Sequence, residues 1–212
     1  MKYIVLLISF LFVLQNCSTS GGKCVEGDCS SGTGSQQMED GSLYIGTFEG
    51  GKKSGNGTLT YPNGDKYVGN FKNDVQEGTG TYTYPDGDIF IGDYKNGKRN
   101  GKGTYKHANG DVYVGEYVDG FRNGNGTYTY SNGDKYVGNY SRGVRSGTGT
   151  YVYSTGEKFE GEWANNKRNG AGKYFSKRGS VVLEGNWSND EYQEPSSEEK
   201  EADSTDTENT EE

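Results

Sequence analysis

Side chains able to do acid–base, nucleophilic or metal chemistry are few in this 212-residue chain, and they are badly spaced for it. The one histidine, His107, would have to centre any Ser-His-Asp relay, and no serine is set apart as its nucleophile. His107 also stands in a position held by Tyr61, Tyr84, Tyr130 and Tyr153 at multiples of 23 residues away, which reads as one ring replacing another. Cys17, Cys24 and Cys29 all lie near the N-terminus and lack the further ligands of a zinc site. The G-x-G pieces at Gly55 to Gly57, Gly101 to Gly103 and Gly124 to Gly126 lead into strand-like sequence without the lysine-serine pair of a phosphate loop. Neither catalysis nor a cofactor nor a metal is expected.

Two residue classes do recur at a spacing that binding could use. Cationic groups appear every 23 residues at Lys53, Arg99, Arg122, Arg145 and Arg168, with Gln76 in the same series and Lys52, Lys98 and Lys167 alongside. Read as the long loop of a hairpin, this series predicts a basic edge suited to phosphate or carboxylate groups. Asp65, Asp88, Asp111, Asp134 and Glu157 recur with the same period in the opposite turns, where bonding of each carboxylate to its own turn backbone accounts for them as simply as a binding role does. The second class is tyrosine: Tyr82, Tyr94, Tyr105, Tyr117, Tyr128, Tyr140 and Tyr151 are expected on one face of a sheet, with much ring surface accessible to a partner.

The elements that place both series are set by an internal repeat. Blocks of 23 residues begin at 40, 63, 86, 109, 132 and 155, and four columns hold glycine in every block, as at Gly64, Gly69, Gly78 and Gly80. Within a block the pattern is aromatic-x-Gly-x-aromatic, a polar stretch, then Gly-Thr-Tyr-x-Tyr and a turn. Residues two apart share a strand face, so Tyr67, Gly69 and Phe71 line up, as do Gly80, Tyr82 and Tyr84. Glycine inside a strand marks close approach, here of rings over backbone. The N-G-D and D-G-D pieces favour positive φ and so tight turns. Leu, Ile, Val and Phe make up 23 of the 196 residues from Cys17 onward, too few for a layered aliphatic core, so rings must be the packing material. A partial seventh block keeps L-E-G-N-W, Leu183 to Trp187, with its glycine one residue late, and is expected to cap the array.

Blocks such as Y-V-G-N-F-K-N-D-V-Q-E-G-T-G-T-Y-T-Y-P-D-G-D and F-E-G-E-W-A-N-N-K-R-N-G-A-G-K-Y closely resemble MORN repeats (Membrane Occupation and Recognition Nexus) over residues 40–187. The resemblance implies an all-β fold, an elongated single-layer antiparallel sheet of consecutive hairpins. It also implies a scaffold for protein contacts or, in some members, for anionic lipid.

The flanks read differently. Lys2 and the apolar run Tyr3 to Leu14 suit a signal peptide over residues 1–16 and are too short to span a bilayer. Leu14-Gln15-Asn16-Cys17 resembles the lipobox of bacterial lipoproteins, with Gln15 and Asn16 where small residues are usual; lipidation of Cys17, or ordinary cleavage further on, would follow. Residues 17–39, rich in Gly and Ser, are expected to be a tether, with Cys24 and Cys29 closing a small disulfide loop. Residues 40–188 carry 19 Lys/Arg and 16 Asp/Glu, whereas residues 189–212 carry 1 and 11. The former balance of +3 is too small for a nucleic-acid footprint, and the latter predicts an acidic disordered tail over 188–212. The combined expectation is a non-enzymatic scaffold in the bacterial cell envelope. It would be lipid-anchored, at the outer membrane or cell surface rather than the inner membrane, and bind a protein partner through the exposed face of the rod. The alternative is direct binding of anionic lipid or polysaccharide by the basic loop edge. End-to-end or face-to-face self-association is also open to such a rod.

Overall fold

A computed structural model describes residues 22–194. The signal segment, Cys17 and the tail beyond residue 194 lie outside the described residues. Sixteen strands form one open sheet in which each pairs only with its neighbours in sequence, all antiparallel. They are β1 Gly22–Gly27, β2 Thr33–Met38, β3 Leu43–Glu49, β4 Lys52–Thr60, β5 Lys66–Lys72, β6 Val75–Thr83, β7 Ile89–Lys95 and β8 Lys98–Lys106. The second half comprises β9 Val112–Val118, β10 Phe121–Thr129, β11 Lys135–Ser141, β12 Val144–Val152, β13 Lys158–Ala164, β14 Lys167–Phe175, β15 Val181–Ser188 and β16 Glu191–Gln193. Among these residues no helix is long and apolar enough to cross a membrane.

Turn chemistry fixes the register. Two-residue turns with positive φ at both positions, such as Asn73-Asp74, Asn96-Gly97 and Asn165-Asn166, join β3 and each later odd strand to the next. Such turns match the natural strand twist. Past those two turn residues, the polar stretch that reads as a loop is strand, which corrects the placement of Lys53, Gln76, Arg99, Arg122, Arg145 and Arg168. All six occupy the second position of an even strand. The sequence misleads because a bulge interrupts the pairing. Gly69 faces Gly80 and Phe71 faces Gln76, leaving Glu77-Gly78-Thr79 opposite Asn70, and Gly78 takes φ 71° to make the detour.

The glycines of the strand interiors face one another along the whole sheet, from Gly34 and Gly46 to Gly172 and Gly185. A Cβ on Gly80 would stand 2.5 Å from Cζ of Tyr67, so the ring lies directly on the backbone. This is how a single layer makes a core. Tyr44, Tyr67, Phe90, Tyr113, Tyr136 and Phe159 are fully buried, each meeting a ring of its own strand and one of the next block edge to face. Tyr67, for example, lies 5.2 Å from Phe71 and 5.0 Å from Tyr94 between ring centres. Edge-to-face geometry at this distance adds attraction beyond burial.

The Gly/Ser stretch expected to be a tether is instead a capping hairpin over residues 22–38. Gly34 pairs with Gly46 and extends the glycine column, and Cys24 and Cys29 are joined by a disulfide with Cα atoms 5.9 Å apart. Gly and Ser are used here because the column has no room: a Cβ on Gly34 would lie 2.9 Å from Cys29 Sγ. At the other end the late glycine is absorbed by a register shift between Val181 and Leu183, and β16 orders three residues of the segment 188–212 expected to be a disordered tail.

Candidate functional site

Of the seven rings expected to be accessible, three are buried and four are half-buried. Tyr94, Tyr117 and Tyr140 are 4–6% exposed, because each packs edge to face against the fully buried ring of its own strand and that of the preceding block. Tyr82, Tyr105, Tyr128 and Tyr151 are half-buried and form a second, continuous row with the Tyr84 series. Their hydroxyls donate to Asp65, Asp88, Asp111 and Asp134 of the preceding inter-block turn at 2.7–2.9 Å. The other oxygen of Asp88, Asp111 and Asp134 accepts the backbone N–H of Ala108, Ser131 and Ser154, about 20 residues on. These carboxylates are thus staples between blocks rather than caps of their own turn backbone, a role that falls to the residue two positions earlier, as Asn109 at Asp111. These bonds hold the carboxyls of Asp88 and Asp111 below the usual range, the backbone N–H contributing most, and that of Asp134, where the Tyr151 hydroxyl contributes most. Burial, then the bonded carboxylate, pushes the four tyrosines up. His107 sits in the ring row, 4.5 Å from Tyr105 between centres, and its Nδ1 lies 3.1 Å from Asp88.

The arginines do not fringe an edge either. Arg122 Cζ lies 5.3–5.5 Å from the centres of Tyr113, Tyr128 and Tyr140, Arg145 is 4.4 Å from Trp163, and Arg168 is 4.3 Å from Trp187. Each guanidinium is half-buried as part of the ring stack.

What faces solvent is the opposite side, which sequence reasoning passed over. One cross-strand row runs Ile45, Thr58, Val68, Thr81, Ile91, Thr104, Val114, Thr127, Val137, Thr150, each directly facing the next. Its five aliphatic members are 45–51% exposed. The row then turns charged at Glu160, Lys173 and Glu184. The signal was present in the recurring V-G and G-T pairs: a residue next to a ring-facing glycine must point the other way. Beside this row the glycine backbones floor an open trough. One stretch, about 750 Å³, is lined by Val137, Asn139, Thr148, Thr150, Lys173 and Asn186 among others. A second, about 390 Å³, lies along Ile91, Thr104, Val114 and Glu116, and Asn125 belongs to both. Among the described residues no group of His, Cys, Asp or Glu could hold a metal ion.

A family model described as "MORN repeat" matches six consecutive stretches, residues 44–66, 67–89, 90–112, 113–135, 136–158 and 159–181. No curated protein matches the chain. Among solved structures, the chain is similar to the TCP domain of SAS-4 (dCPAP) of Drosophila melanogaster, solved in complex with a proline-rich motif of Ana2 (dSTIL). The two are 15% identical, covering 77% of this chain and 90% of that one, with a TM-score of 0.49. It is also similar to the G-box domain of the microcephaly protein CPAP, 16% identical over 83% of this chain and 100% of that one, with a TM-score of 0.44.

Proposed function

Since the chain belongs to the MORN-repeat family, built for interaction rather than catalysis, we propose that it is a scaffold that holds an extended segment of a protein partner in the trough of its open face. The observation that carries this is the continuity of the trough: its two stretches share Asn125 and follow a single row of exposed β-branched side chains. Such side chains are stiff at χ1 and lose little freedom when covered. Asn139 beside the row, and Lys173 and Glu184 at its charged end, offer the few polar contacts that orient a bound chain. A basic edge for anionic lipid is less well supported, because the guanidiniums lie among rings and do not project together onto a flat surface.

Val114→Asp with Val137→Asp puts two charges on the row without touching the ring core. An envelope extract passed over native and variant protein, with retained proteins quantified by mass spectrometry, should show a partner depleted at least tenfold by this pair. The same partner should be kept by Tyr130→Phe with Tyr153→Phe, on the ring face. Retention indifferent to the valine pair would sink the trough as the binding surface.

We further propose that Cys17 carries the lipid that holds the rod at the bacterial envelope, on the strength of its lipobox-like context. Cys17→Ser should move the protein from the membrane to the soluble fraction. An unchanged membrane fraction, with no lipid label on the native chain, would remove the anchor.

A further inference from the structure

The two ends of the cationic column show what its members accept. Asp190, the second turn residue after β15, places Oδ1 2.9 Å from the backbone N of Arg168 and 3.3 Å from its Nε. Asp74 does the same at Lys53, with Oδ1 2.9 Å from the backbone N and 3.9 Å from Nζ. In every block this turn residue packs against the column residue 21 or 22 positions earlier, its N–H bonded to that residue's carbonyl. In the middle of the rod the carboxylate is missing: Gly120 stands beside Arg99, Gly143 beside Arg122, and Asn166 beside Arg145. Among the described residues these three arginines have no carboxylate within ion-pair distance. Their guanidiniums reach only neutral oxygens, Tyr84 Oη at 2.8 Å, Gly143 O at 2.9 Å and Asn166 O at 2.5 Å.

The vacant places are hollows. One of about 380 Å³ is lined by Arg99, Arg122, His107, Phe121, Gly120 and Gly143, and one of about 210 Å³ by Arg122, Arg145, Tyr130, Tyr140 and Asn166. His107 enlarges the first, since an imidazole ends short of where the Tyr84 hydroxyl meets Arg99 one block earlier. Half-buried guanidinium groups without a counter-ion, each beside a turn that elsewhere supplies one, form a row of carboxylate receptors.

We propose that the receptors are filled by the acidic C-terminal segment of this chain, residues 195–212, each carboxylate taking the place that Asp190 takes at Arg168. The segment carries eight carboxylate side chains and one lysine. Successive receptors are two strands apart, about 10 Å, and three extended residues span about 10 Å. Glu198 and Glu201, Asp203 and Asp206, and Glu208 and Glu211 are each three apart. From β16 to β8 is eight strand spacings, roughly 38 Å, which eighteen extended residues cover at about 60 Å. The open face and its trough stay clear, so this site is independent of the function proposed above.

The test uses a fluorescent peptide of residues 195–212 and full-length protein in which the eight tail carboxylates are changed to amides. By fluorescence anisotropy in 50 mM salt, the peptide should bind this protein at least tenfold more tightly than the native chain, whose own tail competes. Binding should weaken at least fivefold in 500 mM salt. Gly120→Asp with Gly143→Asp, made in the amide-tail protein, should cost at least tenfold, because the carboxylates return to the turns. Asp already adopts φ 73° and 77° at positions 74 and 190, and no heavy atom lies within 4 Å of a Cβ built on either glycine, so the variant should fold. Aspartates on the other face, Thr60→Asp with Thr129→Asp, should change binding by no more than about twofold. Equal binding to native and amide-tail protein, no binding, or indifference to the glycine pair would each overturn the proposal.

Discussion

Gly115→Val is expected to destabilise the fold by about 3 kcal/mol, the high end for inserting bulk into a packed core. Gly115 and Gly126 face each other, and a Cβ on Gly115 would meet Tyr113 Oη, stand 2.6 Å from Tyr113 Cζ and lie 2.7 Å from the Gly126 Cα. Neither obstacle is a free side-chain end. The Tyr113 ring is fully buried against Tyr117 and Tyr140, and the Gly126 atom is backbone of the paired strand. The site also sits mid-array, where coupling between neighbouring blocks supplies the stability of a repeat sheet. Thermal melting followed by circular dichroism should show a fall of roughly 10 °C in midpoint. Gly120→Asn is the matched control: it adopts φ 92° in a turn, asparagine tolerates that region, and no atom lies within 4 Å of the added Cβ. A shift within about 0.5 kcal/mol is expected there. If Gly115→Val melts with the parent, the rings do not rest on the glycine column.

Tyr113→Ala should cost about 4 kcal/mol in urea unfolding, as for other buried aromatics truncated to alanine. Tyr113→Phe should cost no more than about 1 kcal/mol, the worth of one hydrogen bond. The separation follows from the column itself. Phe90 and Phe159 fill the equivalent places, also fully buried, so a phenyl ring has a ready site. What it gives up is one bond, from the Tyr113 hydroxyl to the Glu116 carbonyl at 3.2 Å. Alanine instead removes edge-to-face contacts to Tyr117 and Tyr140 and one of the three rings around Arg122. Equal losses from the two variants would mean that the hydroxyl, not the ring, holds the blocks together.

The glycine and ring columns made the fold legible because each reports a local demand: positive φ in a turn, or backbone bare enough for a ring. The burial of those rings was not legible. A single layer suggests one face left open, but Tyr94 is covered by Tyr67 of the preceding block and Phe90 of its own strand, contacts that depend on how far the sheet twists. The arginine row was misplaced for a different reason. In Asn-Asp-Val-Gln-Glu-Gly, residues 73–78, composition says loop throughout, whereas only two residues turn and the remainder pair across a bulge. The N-terminal hairpin was hidden by its Gly and Ser content, although Gly32-Thr33-Gly34 repeats the spacing of Gly55-Asn56-Gly57 and so carried the register. The trough is not legible because single Val and Thr residues beside the glycines are ordinary on a surface until cross-strand pairing sets them side by side.

Every strand in this sheet pairs only with those adjacent to it in sequence, and its rings reach no further than the neighbouring block. Inserting or deleting one 23-residue block would therefore change the surroundings of the two flanking blocks alone, and would give each a neighbour of the same pattern. It would change the molecule's length by about 10 Å and the trough by one increment. The copy number of the repeat acts as a ruler, and the distance between the capping hairpin and the acidic end can be reset by unequal duplication alone, without redesign of any contact.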